Sequence, residues 1–385
     1  MVPFLLVIVS IVAGVHYYLY ARLVKAAALS PSLARAGAIA FVVLALLIPI
    51  GMVLSRTLPR PASTAISVVT FSWFGVVILL FFLTLGSEVL RLGWGALSLG
   101  GLLPDDPERR LFFQRVLAGG VAISGAALAG YGVAVARGKV GVKKVGVALK
   151  KFPKELDGFK LVQISDVHIG PTIGRSWLED VVASINALEP DLVAITGDLV
   201  DGSVEDLRDQ VSPLKDIKAK HGVFFVTGNH EYYAGADAWI AHLPSLGIRV
   251  LRNERVAIGD GNGATFDLAG VDDYRAHGFG GDHGPDLHRA LEDRDLEREV
   301  VLLAHQPKQA IQAAKLGVGL QLSGHTHGGQ IFPWNFFVKL DQPFIAGLDR
   351  LGEFQIYTSC GTGYWGPPMR VGAPPEISLI ELRRA

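Results

Sequence analysis

The chain has 385 residues, 50% of them hydrophobic, a mean hydropathy of +0.36 and a formal net charge of zero from 36 basic and 36 acidic side chains. This balance excludes a nucleic-acid partner held by a global basic field, and the apolar excess excludes one ordinary soluble domain. A single cysteine, Cys360, excludes an intrachain disulfide framework.

The apolar excess lies in the first third of the chain. Four segments, approximately 2–24, 36–54, 66–85 and 116–136, are long enough to cross a bilayer, which takes about 20 residues. In the first, His16 stands among Tyr17, Tyr18 and Tyr20, which predicts an interfacial aromatic belt. No basic residue precedes that segment, which argues against a cleaved secretory signal. In the fourth, Gly125 and Ala129, and likewise Ala126 and Gly130, have the spacing that lets helix backbones approach closely.

Ahead of the fourth segment, Arg109-Arg110-Leu111-Phe112-Phe113-Gln114 resembles a twin-arginine export signal; the plainer reading is an arginine pair anchoring a helix on the cytoplasmic side. Arg137, Lys139, Lys143, Lys144, Lys150, Lys151 and Lys154 follow the segment and vote for the cytoplasm. The opposite topology leaves Arg22, Lys25, Arg35, Arg91, Arg109, Arg110 and Arg115 inside, against Arg56, Arg60 and the basic run. Val140, Val142, Val145, Val147 and Leu149 largely alternate with polar or small residues, as in an edge strand carrying lysines outward. The basic run then belongs to a folded domain, and that domain is expected on the extracytoplasmic side. The predicted division is a transmembrane region over 1–137 and a second domain over 139–385.

From residue 160 the pattern is strand, polar motif, helix, repeated. The run 160–165 ends at Asp166-Val167-His168, 191–196 at Gly197-Asp198, and 222–227 at Gly228-Asn229-His230-Glu231. Gly259-Asp260-Gly261-Asn262-Gly263 is a turn between two further strands. The run 299–304 leads to His305, and 319–323 to Gly324-His325-Thr326-His327. Strands over 354–359 and 376–382 close the domain.

Ligand sites in open α/β sheets lie beyond the carboxyl ends of strands. Asp166, His168, Asp198, Asn229, His230, His305, His325 and His327 all occupy such positions. Imidazole, carboxylate and amide oxygen without thiolate suit manganese, iron, zinc or nickel. Seven ligands and one remaining histidine suggest two ions sharing a carboxylate. Two ions about 3.5–4 Å apart can hold a hydroxide and clamp the oxygens of an in-line phosphoryl displacement.

These five motifs, in this order, resemble those of the calcineurin-like metallophosphoesterases over approximately residues 140–385. The resemblance implies an α/β fold, a four-layer αββα sandwich, here preceded by four transmembrane helices. It implies Asp166, His168 and His327 on one metal, Asn229, His305 and His325 on the other, and Asp198 between them. It also implies that His230 contacts the phosphate and assists the leaving group. Position 231 is Glu where many members have Asp, and Glu231 is expected to orient a histidine.

The chain is similar to bacterial membrane-associated members of that family, so the expectation is an integral protein of a bacterial cell membrane. Its expected activity is hydrolysis of a phosphodiester or phosphomonoester, lipid- or nucleotide-linked, with two divalent ions and manganese favoured. The alternatives are a nucleotide-lipid pyrophosphatase of the UDP-diacylglucosamine hydrolase type and a non-catalytic membrane scaffold with a vestigial site. His221, His242, His288 and Cys360 are expected to be structural; His277 and His283 read as surface-loop residues rather than the lining of a substrate entrance, and at Asp272 and Asp273 helix or turn capping competes with a site role.

Overall fold

The computed structural model describes residues 2–59, 61–103, 106–259, 261 and 263–385, with the side chains of 2–5 and 56 excepted. Arg60 and the turn residues Asp260 and Asn262 therefore lie outside the described residues, as does the Arg56 side chain. The chain divides into two compact units, Met1–Arg137 with Gly366–Val371, and Gly138–Trp365 with Gly372–Ala385.

The first unit contains four apolar helices, each long and apolar enough to cross a bilayer: α1 (Val2–Tyr20), continued by a π-helical turn Ala21–Lys25, α2 (Pro31–Thr57), α3 (Ala62–Leu99) and α4 (Pro107–Arg137). At 38 residues, α3 runs well past the expected segment 66–85. Its charged residues do not end the helix because Glu88 is satisfied within the bundle: Arg22 Nε lies 2.9 Å from Oε1, and Tyr18 donates to the same atom at 3.0 Å. In α4 the pair Arg109 and Arg110 lies inside the first turns, since Asp106 Oδ1 accepts the Glu108 N–H at 2.8 Å and starts the helix there.

His16 is not part of an aromatic belt. It is buried, with Nδ1 2.8 Å from the Val12 carbonyl and Nε2 accepting the Trp73 indole N–H at 3.1 Å. Of the two small-residue stripes on α4, the Gly125/Ala129 face is buried, and a Cβ on Gly125 would stand 2.6 Å from Leu80 Cδ2. The Gly130 face is open.

The segment Gly366–Val371 joins this unit through close backbone approach. A Cβ on Gly75 would stand 2.7 Å from Met369 Sδ and 3.0 Å from Pro367 Cβ, and the Arg370 N–H donates to the Gly132 carbonyl at 2.9 Å.

The second unit is built on two six-stranded sheets. With β1 (Gly141–Leu149), β2 (Phe159–Ile164), β3 (Leu192–Ile195), β4 (Val223–Phe225), β5 (Ile248–Val250) and β12 (Glu376–Arg384), the first has the order β1-β12-β2-β3-β4-β5. With β6 (Glu254–Gly259), β7 (Thr265–Gly270), β8 (Val300–Leu303), β9 (Leu320–Ser323), β10 (Gly347–Leu351) and β11 (Phe354–Thr358), the second has the order β10-β11-β9-β8-β7-β6. β1 is the edge strand of the first sheet, paired in parallel with β12.

Between the sheets lies one apolar core in which Leu161, Leu192 and Phe224 of the first meet Phe266, Leu268, Val301 and Leu320 of the second. Helix α5 (Arg175–Asn186) buries Leu178, Val181, Val182 and Ile185. Against the second sheet, Leu287, Ala290, Ala310 and Ala313 from short helices pack on Val300, Leu302 and Ile356. Burial of both faces explains why β3 and β8 read as continuous apolar runs. The architecture is the four-layer αββα sandwich.

Candidate metal centre

The polar motifs sit just beyond the carboxyl ends of β2, β3, β4, β8 and β9, where the two sheets present neighbouring edges. Loops here are stitched by backbone bonds: Asp166 N–H to the Gly197 carbonyl at 3.0 Å, His168 N–H to Asp198 at 3.1 Å, and Gly324 N–H to His305 at 2.9 Å. Five of the eight motif residues adopt the left-handed region: Asp166 (φ 51°), His168 (53°), Asp198 (52°), His325 (70°) and His327 (51°). Each such residue costs on the order of 1–3 kcal/mol, and persists only where its surroundings over-determine it. Gly197, at φ 87°, makes room between them, because a Cβ there would stand 2.6 Å from Gly228 N and 2.7 Å from His305 Nδ1.

The side chains converge in two adjoining groups. Asp166, His168 and His327 bring one ligand atom each within 4.8 Å of one another, and Asp198, His305 and His325 do the same. His168 Nε2 faces His327 Nε2 at 3.1 Å, and Asp166 Oδ1 lies 3.4 Å from His327 Nε2. His305 Nδ1 is 2.7 Å from the Thr196 carbonyl, which fixes the N–H on that side and turns Nε2 toward Asp198 Oδ2 at 3.1 Å. That Nε2, and the Asn229 side-chain oxygen, are buried without a hydrogen-bond partner among the described residues. Buried polar atoms are nearly always paired. Two buried polar atoms without hydrogen-bond partners, one of them 3.1 Å from the Asp198 carboxylate, are what a cation would satisfy.

The electrostatics reflect this crowding. Burial would push the Asp198 carboxyl up, but His305 and His230 hold it well below the usual carboxylate range. Burial opposes charge on His305 too, yet Asp198 and Asp166 raise it well above an ordinary histidine. Desolvation of the half-buried His325 and the charge of neighbouring His305 push it down to about 3. Burial also lowers His230, but the Asp198 charge and the Asp201 hydrogen bond outweigh it and push it up to about 9.

Two residues differ from expectation. Glu231 orients no histidine among the described residues. Its buried carboxylate accepts the backbone N–H groups of Gly228 (2.7 Å), Leu199 (2.8 Å), Asp198 (3.0 Å) and Val200 (3.3 Å), tying two motif loops together. The residue that holds histidines is Asp201, which stands outside the five sequence motifs. Its Oδ1 lies 3.0 Å from His168 Nδ1 and 2.6 Å from His230 Nδ1. The available signal was its place three residues after Asp198 in the same strand-end loop.

His230 itself is partly exposed, with its ring 5.4 Å from Tyr233 and 5.5 Å from Trp365. Elsewhere Asp272 binds Arg252 through two oxygens at 3.0 and 2.7 Å, and Asp273 accepts from Gln306, the neighbour of His305. Cys360 is buried beside Gly328.

A family model described as calcineurin-like phosphoesterase matches residues 159–329. A Danio rerio "Transmembrane protein with metallophosphoesterase domain" is 41% identical over 329 residues, covering 83% of this chain and 74% of that one. Its Bos taurus namesake is 43% identical over 63% of this chain and 57% of its own length. An "Uncharacterized metallophosphoesterase" of Helicobacter pylori is 40% identical over 72% of this chain and 73% of that one. With its four candidate spans the chain is a membrane protein, and by these matches it belongs to the calcineurin-like metallophosphoesterases.

Proposed function

We propose that this protein is a membrane-anchored phosphoesterase that hydrolyses a phosphodiester or phosphomonoester at a site for two divalent ions. The observation that carries the reading is the clustering of Asp166, His168 and His327, and of Asp198, His305 and His325, each with ligand atoms within 4.8 Å of one another, while His305 Nε2 and Asn229 Oδ1 are buried without a hydrogen-bond partner among the described residues. The donor set fits the ions, being nitrogen and oxygen throughout. Asp166, His168 and His327 would hold one, Asn229, His305 and His325 the other, with Asp198 shared. Bound there, manganese, iron, zinc or nickel would supply Lewis acidity toward a phosphoryl oxygen and acidify water.

The chain's own chemistry centres on His230. Its Nδ1 is engaged by Asp201, so Nε2 is the nitrogen left to face a ligand. With a pKa near 9 the ring is protonated at neutral pH. It can therefore give the Nε2 proton to the ester oxygen that leaves as the P–O bond breaks.

For orientation we place the catalytic unit outside the cytoplasm. Support comes from the basic run, which is not a free juxtamembrane tail: Lys143 pairs with Glu376 at 3.5 Å, and Lys150 pairs with Glu353. A C-terminal reporter active only in the external compartment is the expected result, and activity only in the cytoplasm overturns the orientation. For the activity, the full chain in detergent with Mn²⁺ should hydrolyse a chromogenic phosphodiester or monoester. Turnover should disappear in His230→Ala, and a variant as active as the parent rejects the assignment.

A further inference from the structure

Immediately after His327, the chain leaves the metal centre in an aromatic loop, residues 331–340. Phe332, Trp334, Phe336, Phe337 and Leu340 are all exposed there, Leu340 to 85%. Isolated exposed apolar residues are ordinary, but five within nine positions, rimmed by Lys339 and Asp341, mark a contact surface.

The root of the loop is rigid and shares its fixings with the ligands. Gly329, two residues past His327, has the Asn335 backbone against it so closely that a Cβ would stand 2.5 Å from Asn335 N and Cα. Thr326, between the two motif histidines, donates its hydroxyl to the Ile345 carbonyl at 2.6 Å and pins the returning strand of the loop. Gln330 Nε2 donates to the Trp365 carbonyl at 2.8 Å, Trp365 N–H donates back to Gln330 Oε1 at 3.0 Å, and Ile331 forms an isolated bridge with Gly372.

Trp365 and Gly372 are the residues on either side of Gly366–Val371, the segment that packs with the apolar helices. The residues that hold the loop's root are thus the immediate chain neighbours, on both sides, of a segment that belongs to the helical unit. Aromatic side chains beside a basic residue are the composition that partitions into the headgroup region of a bilayer. The exposed rings of Tyr233 and Trp365 at His230 extend apolar surface to the proton donor itself.

We propose that residues 331–340 form an interfacial element lying in the bilayer surface beside the metal centre, and that the ester hydrolysed there is carried by a bilayer-resident amphiphile. The substrate half of this statement rests on the phosphoesterase reading; the placement of the loop does not.

The test uses the full chain in phosphatidylcholine nanodiscs. Because the single native cysteine, Cys360, is buried, a nitroxide can be attached selectively to Leu340→Cys, with exposed Lys215→Cys as the reference. The expected label at 340 is relaxed by oxygen and shielded from a water-soluble nickel complex. Accessibility to nickel equal to that at 215, or shielding from both relaxants as in a contact between two copies, overturns the proposal.

The second arm compares Phe332→Ser/Phe336→Ser/Leu340→Ser with the parent on a water-soluble chromogenic phosphate ester and on phosphatidic acid and phosphatidylglycerol in the disc. Unchanged hydrolysis of the soluble ester with an at least about tenfold loss on a lipid ester is expected. Hydrolysis of the soluble ester alone, or equal loss on both, rejects the substrate class. Absence of all hydrolysis would instead count against the phosphoesterase reading, while the nitroxide result still decides where the loop lies.

Discussion

His230 Nδ1 lies 2.6 Å from Asp201 Oδ1, and the same carboxylate oxygen is 3.0 Å from His168 Nδ1. One side chain thereby sets the tautomer of a candidate metal ligand and the proton affinity of the candidate acid. Replacing Asp201 with Asn should lower turnover by ~10–100-fold, the usual cost of losing a partner that orients a site histidine. The sign of the pH effect follows from the same contact. His230 must be protonated to act, and its pKa near 9 depends on Asp201, so the alkaline limb of kcat/KM should move to lower pH in Asp201→Asn. An alkaline limb that stays in place, measured across pH 6–10, would show that this imidazole is not the acid.

Gly197 tests the strain at the centre. Its φ of 87° and the backbone of Gly228, 2.6 Å from where a Cβ would be, leave no route for an added methyl. Gly197→Ala should destabilise the second unit by about 1–3 kcal/mol and reduce metal retention, read by thermal unfolding with and without added Mn²⁺. An unchanged melting curve and metal content would mean that the motif loops are softer than their geometry indicates.

Metal uptake should release protons. Asp198 and Asp166 raise His305 well above its ordinary value despite burial, and an ion at Nε2 must displace that proton. Apparent affinity should therefore rise with pH and fall on acidification. Calorimetric titration of the apo protein with Mn²⁺ at pH 7, in two buffers of different ionisation enthalpy, should reveal net proton release. Identical heats in both buffers would contradict the His305 assignment.

The helical unit offers a matched pair. Gly125→Val drives a side chain into Leu80, 2.6 Å from the Cβ position, whereas Gly130 has open space around it. The first substitution should lower the detergent melting temperature, since overpacking costs about 1–3 kcal/mol, and Gly130→Val should leave it within error. Equal effects would show that helix packing does not use the Gly125 face.

Much of this was legible in the chain itself, for identifiable physical reasons. Strands buried on both faces give unbroken apolar runs such as 192–195, so the Asp or His at their ends stands out as a change of chemistry. What escaped reading depends on distance in space. Asp201 looks like one more loop acid until the fold sets it against histidines from two other motifs. Glu231 was expected to hold an imidazole because backbone N–H groups, its actual partners, leave no trace in a sequence. Gly366–Val371 has no periodicity to connect it with helices far earlier in the chain, and only the close approach at Gly75 and Gly132 reveals the association. The apolar segment 66–85 stops short of the end of α3 at Leu99, because the helix continues through Glu88, which Tyr18 and Arg22 accommodate within the bundle.

The most direct test of the central claim is metal content and phosphodiester hydrolysis measured on the same preparation, for the parent protein and Asp198→Asn. The account predicts two divalent ions per chain with turnover in the parent, and loss of metal together with most turnover in the variant. A parent that retains no metal and hydrolyses no phosphate ester, or an Asp198→Asn protein as active as the parent, would contradict it.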